Sequence, residues 1–207
     1  MMSMIIANSF IFLALISCFE INTATADKGA TYIRWGRTVC PTDRTGATLV
    51  YEGVAAGSKW SESGGGANYL CLPKTPEYWP IGTGTSSYQA FLYGAEYHSR
   101  HYPSFIDSTA PCAMCLAVNK SATIMIPAKI TCPKSWTREY NGYLVAEHYT
   151  HANNVVFECV DFNREKVPGT SNPDPEASFH HVRSTCYGLS CPPFVQAKDM
   201  ACVVCSK

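Results

Sequence analysis

Cys112 and Cys115 stand three positions apart in "APCAMCLAVNKSATIMIPAKITCPKSW", residues 110–136, and Cys202 and Cys205 repeat the spacing in "MACVVC" near the last residue. Cysteines so placed suit one of three chemistries. As a dithiol opening a helix they exchange disulfides. As thiolates from two such motifs they hold structural zinc. Oxidised to separate partners, they bolt a scaffold. The other ligating side chains are imidazoles: His98 and His101 in "YHSRHY", His148 and His151 in "EHYTH", and His180 and His181 in "FHHV". A spacing of three puts two rings on one side of a helix but on opposite faces of a strand. The surrounding text is strand-like, and "EHYTH" lacks the helical context of a zincin HExxH. The histidines therefore read as exposed loop or edge residues, and no metal ligand is assigned.

Nucleophilic catalysis needs serine or cysteine beside a histidine and an acid. No GxSxG elbow is present, and the acids are scattered without a motif. "SGGGAN" lacks the trailing Gly-Lys-Ser/Thr of a phosphate loop and reads as a hairpin connection. No catalytic residue and no cofactor are expected, and the chain is read as not an enzyme.

The elements that must position these residues begin after a leader. An apolar run from Met4 to Phe19, then Ala24-Thr25-Ala26, has the pattern of a secretory signal ending near Ala26. It is shorter than the ~20 apolar residues that span a bilayer comfortably, and no other segment is a transmembrane candidate. Losing residues 1–26 removes one acid, Glu20, and no base from a chain with 16 of each. Near-neutral charge without a basic stripe makes nucleic acid and anionic membrane poor partners. Asn119-Lys120-Ser121 is a glycosylation sequon. Cys18 leaves with the signal, and the other ten cysteines form an even set suited to a disulfide framework.

"TLVYEGV", "ANYLCL", "ATIMI", "EYNGYLVAEHY", "NVVFECV" and "FVQ" are short β-type runs between Gly, Pro, Asn and Asp clusters. "KVPGTSNPDPEAS" reads as a long exposed loop. The chain also repeats itself. Cys40-Pro41, Tyr51-x-Gly53, Cys71 and Cys112-x-x-Cys115 are followed in the same order by Cys132-Pro133, Tyr140-x-Gly142, Cys159 and Cys202-x-x-Cys205. The intervals match as well, 31 and 27 residues between the first two cysteines and 41 and 43 from there to the CxxC. The expectation is an all-β fold of two homologous disulfide-stapled subdomains, 27–120 and 121–207, joined near residues 118–130. On a strand, residues i and i+3 lie about 10 Å apart and point to opposite faces, beyond the ~7 Å Cα separation a disulfide tolerates. Cys112 and Cys115 must then take Cys40 and Cys71, in either order. Cys202 and Cys205 likewise take Cys132 and Cys159, which leaves Cys186 and Cys191 for each other.

"PCAMCLAVNKSATIMIPAKITCPKSWTREYNGY" resembles the junction between the halves of the type IV collagen non-collagenous C-terminal domain. "TYIRWGRTVCP", "GGGANYLCLP", "CPPFV" and "CVVC" are similar to the C-terminal domain of spongin-type short-chain collagens. The likeness runs from about Thr31 to Cys205. It implies a fold of two similar all-β subdomains with interlocking strands, type IV collagen C-terminal-domain-like. It also implies the pairs Cys40–Cys115, Cys71–Cys112, Cys132–Cys205, Cys159–Cys202 and Cys186–Cys191, and assembly by strand exchange between neighbours. Two departures stand out. The first half lacks the local pair that the second half keeps, and no Gly-X-Y repeat occurs.

The resulting expectation is a secreted glycoprotein of the extracellular matrix. It would act without a cofactor, by self-association or by binding other matrix proteins. The alternative is a soluble recognition protein for carbohydrate or defence, with Trp60, Tyr78 and Trp79 as exposed aromatics for glycans.

Overall fold

The computed structural model describes residues 28–79, 89–99, 103–171 and 176–207. The expected signal segment and His101 lie outside them. The chain is nearly all β. Its strands are β1 (Gly29–Trp35), β2 (Thr48–Gly57), β3 (Leu70–Pro73), β4 (Tyr93–Tyr97), β5 (Pro111–Val118), β6 (Thr123–Pro127), β7 (Thr137–Ala146), β8 (Glu158–Asp161), β9 (Ala177–His181) and β10 (Ala201–Ser206). A single helical turn, α1 (Thr42–Thr45), precedes β2.

Pairing is recurrent. β5 lies between β1 and β2, and β2 also pairs with β3 and β4. In the same way β10 lies between β6 and β7, and β7 also pairs with β8 and β9. Two parallel contacts join the sets: β4 runs beside β9 from Ala95↔Ala177 to Tyr97↔Phe179, and Trp35 of β1 meets Val160 of β8.

Five disulfides are formed: Cys40–Cys115, Cys71–Cys112, Cys132–Cys205, Cys159–Cys202 and Cys186–Cys191, with Cα separations of 5.7 to 5.9 Å. These are the pairs the resemblance implies. Their geometry follows from alternation along the strand. Cys112 belongs to a core cluster with Trp35, Cys71 and Phe179, whereas Cys115 belongs to another with Tyr32, Cys40 and Tyr140. Cys71–Cys112 passes from β3 to β5 across β2, where Gly53 faces Cys112; Cys159–Cys202 passes from β8 to β10 across β7, where Gly142 faces Cys202. A side chain at either glycine has no room. A Cβ on Gly53 would run into the Leu72 carbonyl, and one on Gly142 into the Val160 carbonyl.

Some segments differ from expectation. "FVQ" is turn, not strand. Two prolines, Pro192 and Pro193, precede it and withhold N–H donors, and its backbone closes on turn bonds, with the Phe194 N–H donating to Ser190 O at 3.2 Å and the Lys198 N–H to Val195 O at 3.4 Å. Residues 147–151 of "EHYTH" leave the strand at Ala146 and turn, with His151 N donating to His148 O at 3.0 Å. The end of the expected loop 166–178 is instead strand: Ala177 and Ser178 are fully buried in β9, and Tyr69 donates to Ser178 O at 2.6 Å.

The seam between the two strand sets is polar as well as apolar. Buried Arg34 and Asp161 form an ion pair at 2.7 Å, and Arg34 also donates to Val39 O. Trp35 donates its indole N–H to Glu158 at 2.9 Å. On β4, Glu96 is 4% exposed and one of its carboxylate oxygens has no hydrogen-bond partner among the described residues. Burial, reinforced by Asp107 and Glu176, raises its pKa to about 7.

Two predictions follow from this packing. Gly142→Ala should cost about 3 kcal/mol or more in urea unfolding, because rigid backbone must move. Gly64→Ala, in open space, should cost less than about 0.5 kcal/mol. The second concerns Glu96. The unfolded chain releases this proton near pH 4.5 and the folded chain near 7, so its contribution to stability falls as pH rises through that window. Glu96→Gln should therefore raise the melting temperature relative to the parent more at pH 8 than at pH 5.

Candidate functional site

Three strand ends converge on an open cleft of about 1010 Å³ lined by His98, Glu147, His148, His151, His180 and neighbouring residues. The pairing puts them there. Parallel β4 and β9 end on the same side, so His98, just past β4, donates its N–H to Phe179 O at 3.1 Å. Antiparallel β7 and β9 meet at Ala146↔His180, which brings Glu147 beside β9. The turn after β7 then folds His148 and His151 back over it.

Glu147 organises the cleft. Its side chain is 2% exposed. One oxygen accepts from His151 Nδ1 at 2.7 Å and from the His148 N–H at 3.1 Å; the other accepts from the Ser178 N–H at 3.1 Å. His180 Nε2 lies 3.8 Å from the Glu147 oxygen, is buried, and has no hydrogen-bond partner among the described residues. Burial, and then the charges of His98, His148, His151 and His181, hold the His180 pKa down at about 3. Its ring is thus neutral at physiological pH, with an available lone pair on one of its two nitrogens. The His98 and His148 rings each lie 5.0 Å from that of His180, and the His151 ring 5.4 Å. Ligand atoms of Glu147, His151 and His180 all fall within 4.8 Å of one another.

A second grouping is not catalytic in form. Ser99 Oγ lies 3.5 Å and Asp199 Oδ2 3.6 Å from His181, both at Nδ1. A relay triad uses opposite ring nitrogens for nucleophile and acid.

Asn119 is exposed in the β5–β6 turn with φ of 58°, a conformation asparagine tolerates. The ten cysteines named from sequence are all disulfide-bonded. Trp60 does not stand exposed with Tyr78 and Trp79. It is half-buried and packs on His151 with ring centroids 4.7 Å apart, while Tyr78 and Trp79 are 85% and 83% exposed. Sequence reading passed over Glu147 and His180 as site residues. The available signal was that all six histidines fall in three close pairs; of these, His98, His148, His151, His180 and His181 lie at or just beyond the ends of β4, β7 and β9.

No protein-family model and no solved structure matches the chain.

Proposed function

We propose that this chain is a secreted structural and interaction module of the extracellular matrix. It acts without catalysis, by self-association or by binding matrix partners. The two recurrent strand sets are read as homologous subdomains of the type IV collagen C-terminal-domain kind. The observation that carries the reading is the state of the sheet edges. Among the described residues β3 pairs only with β2, and β6 only with β10. Each presents a bulky aliphatic side chain to solvent, Leu70 at 43% and Ile124 at 39% exposure. Open edges with apolar side chains template pairing with another chain. The five disulfides favour an oxidising, extracellular setting. Among the described residues no helix is long and apolar enough to cross a membrane.

A second reading, soluble glycan recognition, is favoured by the adjacent exposed rings of Tyr78 and Trp79. Such flat amphipathic surfaces suit sugar faces.

Light scattering on the purified chain at rising concentration should give masses above the monomer, or pull-down from matrix extract should capture a protein partner. Leu70→Lys together with Ile124→Lys should reduce assembly while leaving the fold intact. A strict monomer with no matrix partner and with specific binding on a glycan array would instead establish the second reading. Reduction should unfold the protein, not switch it. Four of the bridges close intervals of 41 to 75 residues, each worth about 4 kcal/mol by chain entropy. Circular dichroism with and without a reductant checks this.

A further inference from the structure

We propose that Glu147, His151 and His180 form a binding site for a divalent transition-metal ion of the zinc class, which clamps the turn after β7 onto β9. Donors, spacing and an unmet valence all point there. Two imidazoles and a carboxylate are the ligand set of borderline metals such as Zn, Ni and Cu, not of Ca or Mg, which prefer all-oxygen shells. Around a tetrahedral ion with bonds of about 2.0–2.1 Å, ligand atoms sit roughly 3.4 Å apart. The Glu147 oxygen lies 2.7 Å from His151 Nδ1 and 3.8 Å from His180 Nε2, and the ligand atoms all fall within 4.8 Å of one another. Side-chain shifts of about 0.4 to 1.4 Å, with the His151 ring proton moving from Nδ1 to Nε2, bring them to that spacing.

Among the described residues His180 Nε2 is buried without a hydrogen-bond partner, and it is the one such atom in this three-residue ligand set. Buried polar atoms are rarely left so, and an ion shared with Glu147 and His151 would satisfy it. The ligands sit on supports. His180 is on a strand paired to β7, Glu147 is fixed through its second oxygen by the Ser178 N–H, and His151 is backed by the Trp60 ring. Such outer contacts are what hold ligands in register. His148 lies within reach of a fourth position, its ring centroid 5.2 Å from His151 and 5.0 Å from His180. Its Nδ1 accepts from the Thr150 N–H at 3.4 Å and meets Thr150 Oγ1 at 2.8 Å, which puts the ring proton on Nε2, so His148 is not counted among the ligands. The ten cysteines among the described residues, all oxidised, offer no competing thiolate.

The test is calorimetric titration of the untagged, chelator-treated full chain with Zn(II) alone, alongside the optical spectrum of the Co(II)-loaded protein. The expected result is one ion per chain, a higher melting temperature with metal, and a tetrahedral Co(II) spectrum. His180→Gln and His151→Gln should each weaken binding at least about 100-fold while leaving the metal-free circular dichroism spectrum unchanged. His181→Gln, in the same cleft but outside the ligand set, should bind within about threefold of the parent. Absence of one-to-one binding at micromolar metal would overturn the proposal. So would unchanged affinity in both His180→Gln and His151→Gln, since the ion would then be held elsewhere. Should Glu147→Gln fail to fold, the two histidine variants still decide the matter.

Discussion

In an extended strand, neighbours three apart face away from each other, and the molecule is organised around that rule at β5 and β10. Cys112 and Cys115 cannot meet, so each reaches a distant partner on its own face, and Cys202 and Cys205 do the same. One bridge of each pair crosses the long central strand, β2 or β7, at a point where only glycine fits. The other fixes the segment leading into that strand. A one-residue slip of register would swap every cysteine to the wrong face. The covalent and hydrogen-bonded frameworks therefore enforce each other.

The two strand sets are held together by a different kind of contact. Trp35, Arg34 and Ile33 of β1 reach Glu158, Asp161 and, through the Tyr140 hydroxyl, Cys159 of β8. Burial raises the pKa of Glu158, while the Trp35 indole N–H works against that shift. Such a seam is costly unless each group finds its partner, and the same demand makes the docking angle specific. The aromatic cluster of Trp35, Tyr69, Tyr97 and Phe179, with ring centroids 4.5 to 6.3 Å apart, fills the space beneath it.

The histidine cleft follows from this arrangement. Parallel β4 and β9 release their ends on one side, and the turn after β7 arrives at the same place. Glu147 binds that turn to β9 through three hydrogen bonds. What remains at the focus is a neutral imidazole with an unused ring nitrogen. The proposed assembly and the proposed metal clamp involve different places, because among the described residues the unpaired edges lie on β3 and β6 and the cleft lies at the ends of β4, β7 and β9.

What the sequence determined by itself was whatever depends on local spacing. Short apolar runs between turn residues specified strands, and the order Cys-Pro, Tyr-x-Gly, Cys, CxxC disclosed two matching sets. Alternation excluded a bond within either CxxC. It could not choose between Cys40 and Cys71 for Cys112, because both lie far off in sequence and only the path of β2 and β3 brings one of them over Gly53. "FVQ" was misread because β-type residues say nothing about whether a neighbouring strand is there to pair with. The convergence of the histidines was illegible for the converse reason. Their spacing is uninformative on a strand, and only the end of β7 at Ala146 and the β7–β9 register turn Glu147, His151 and His180 toward one point. Side chains from three strand ends meet through long-range pairing, and that is a property of the tertiary structure alone.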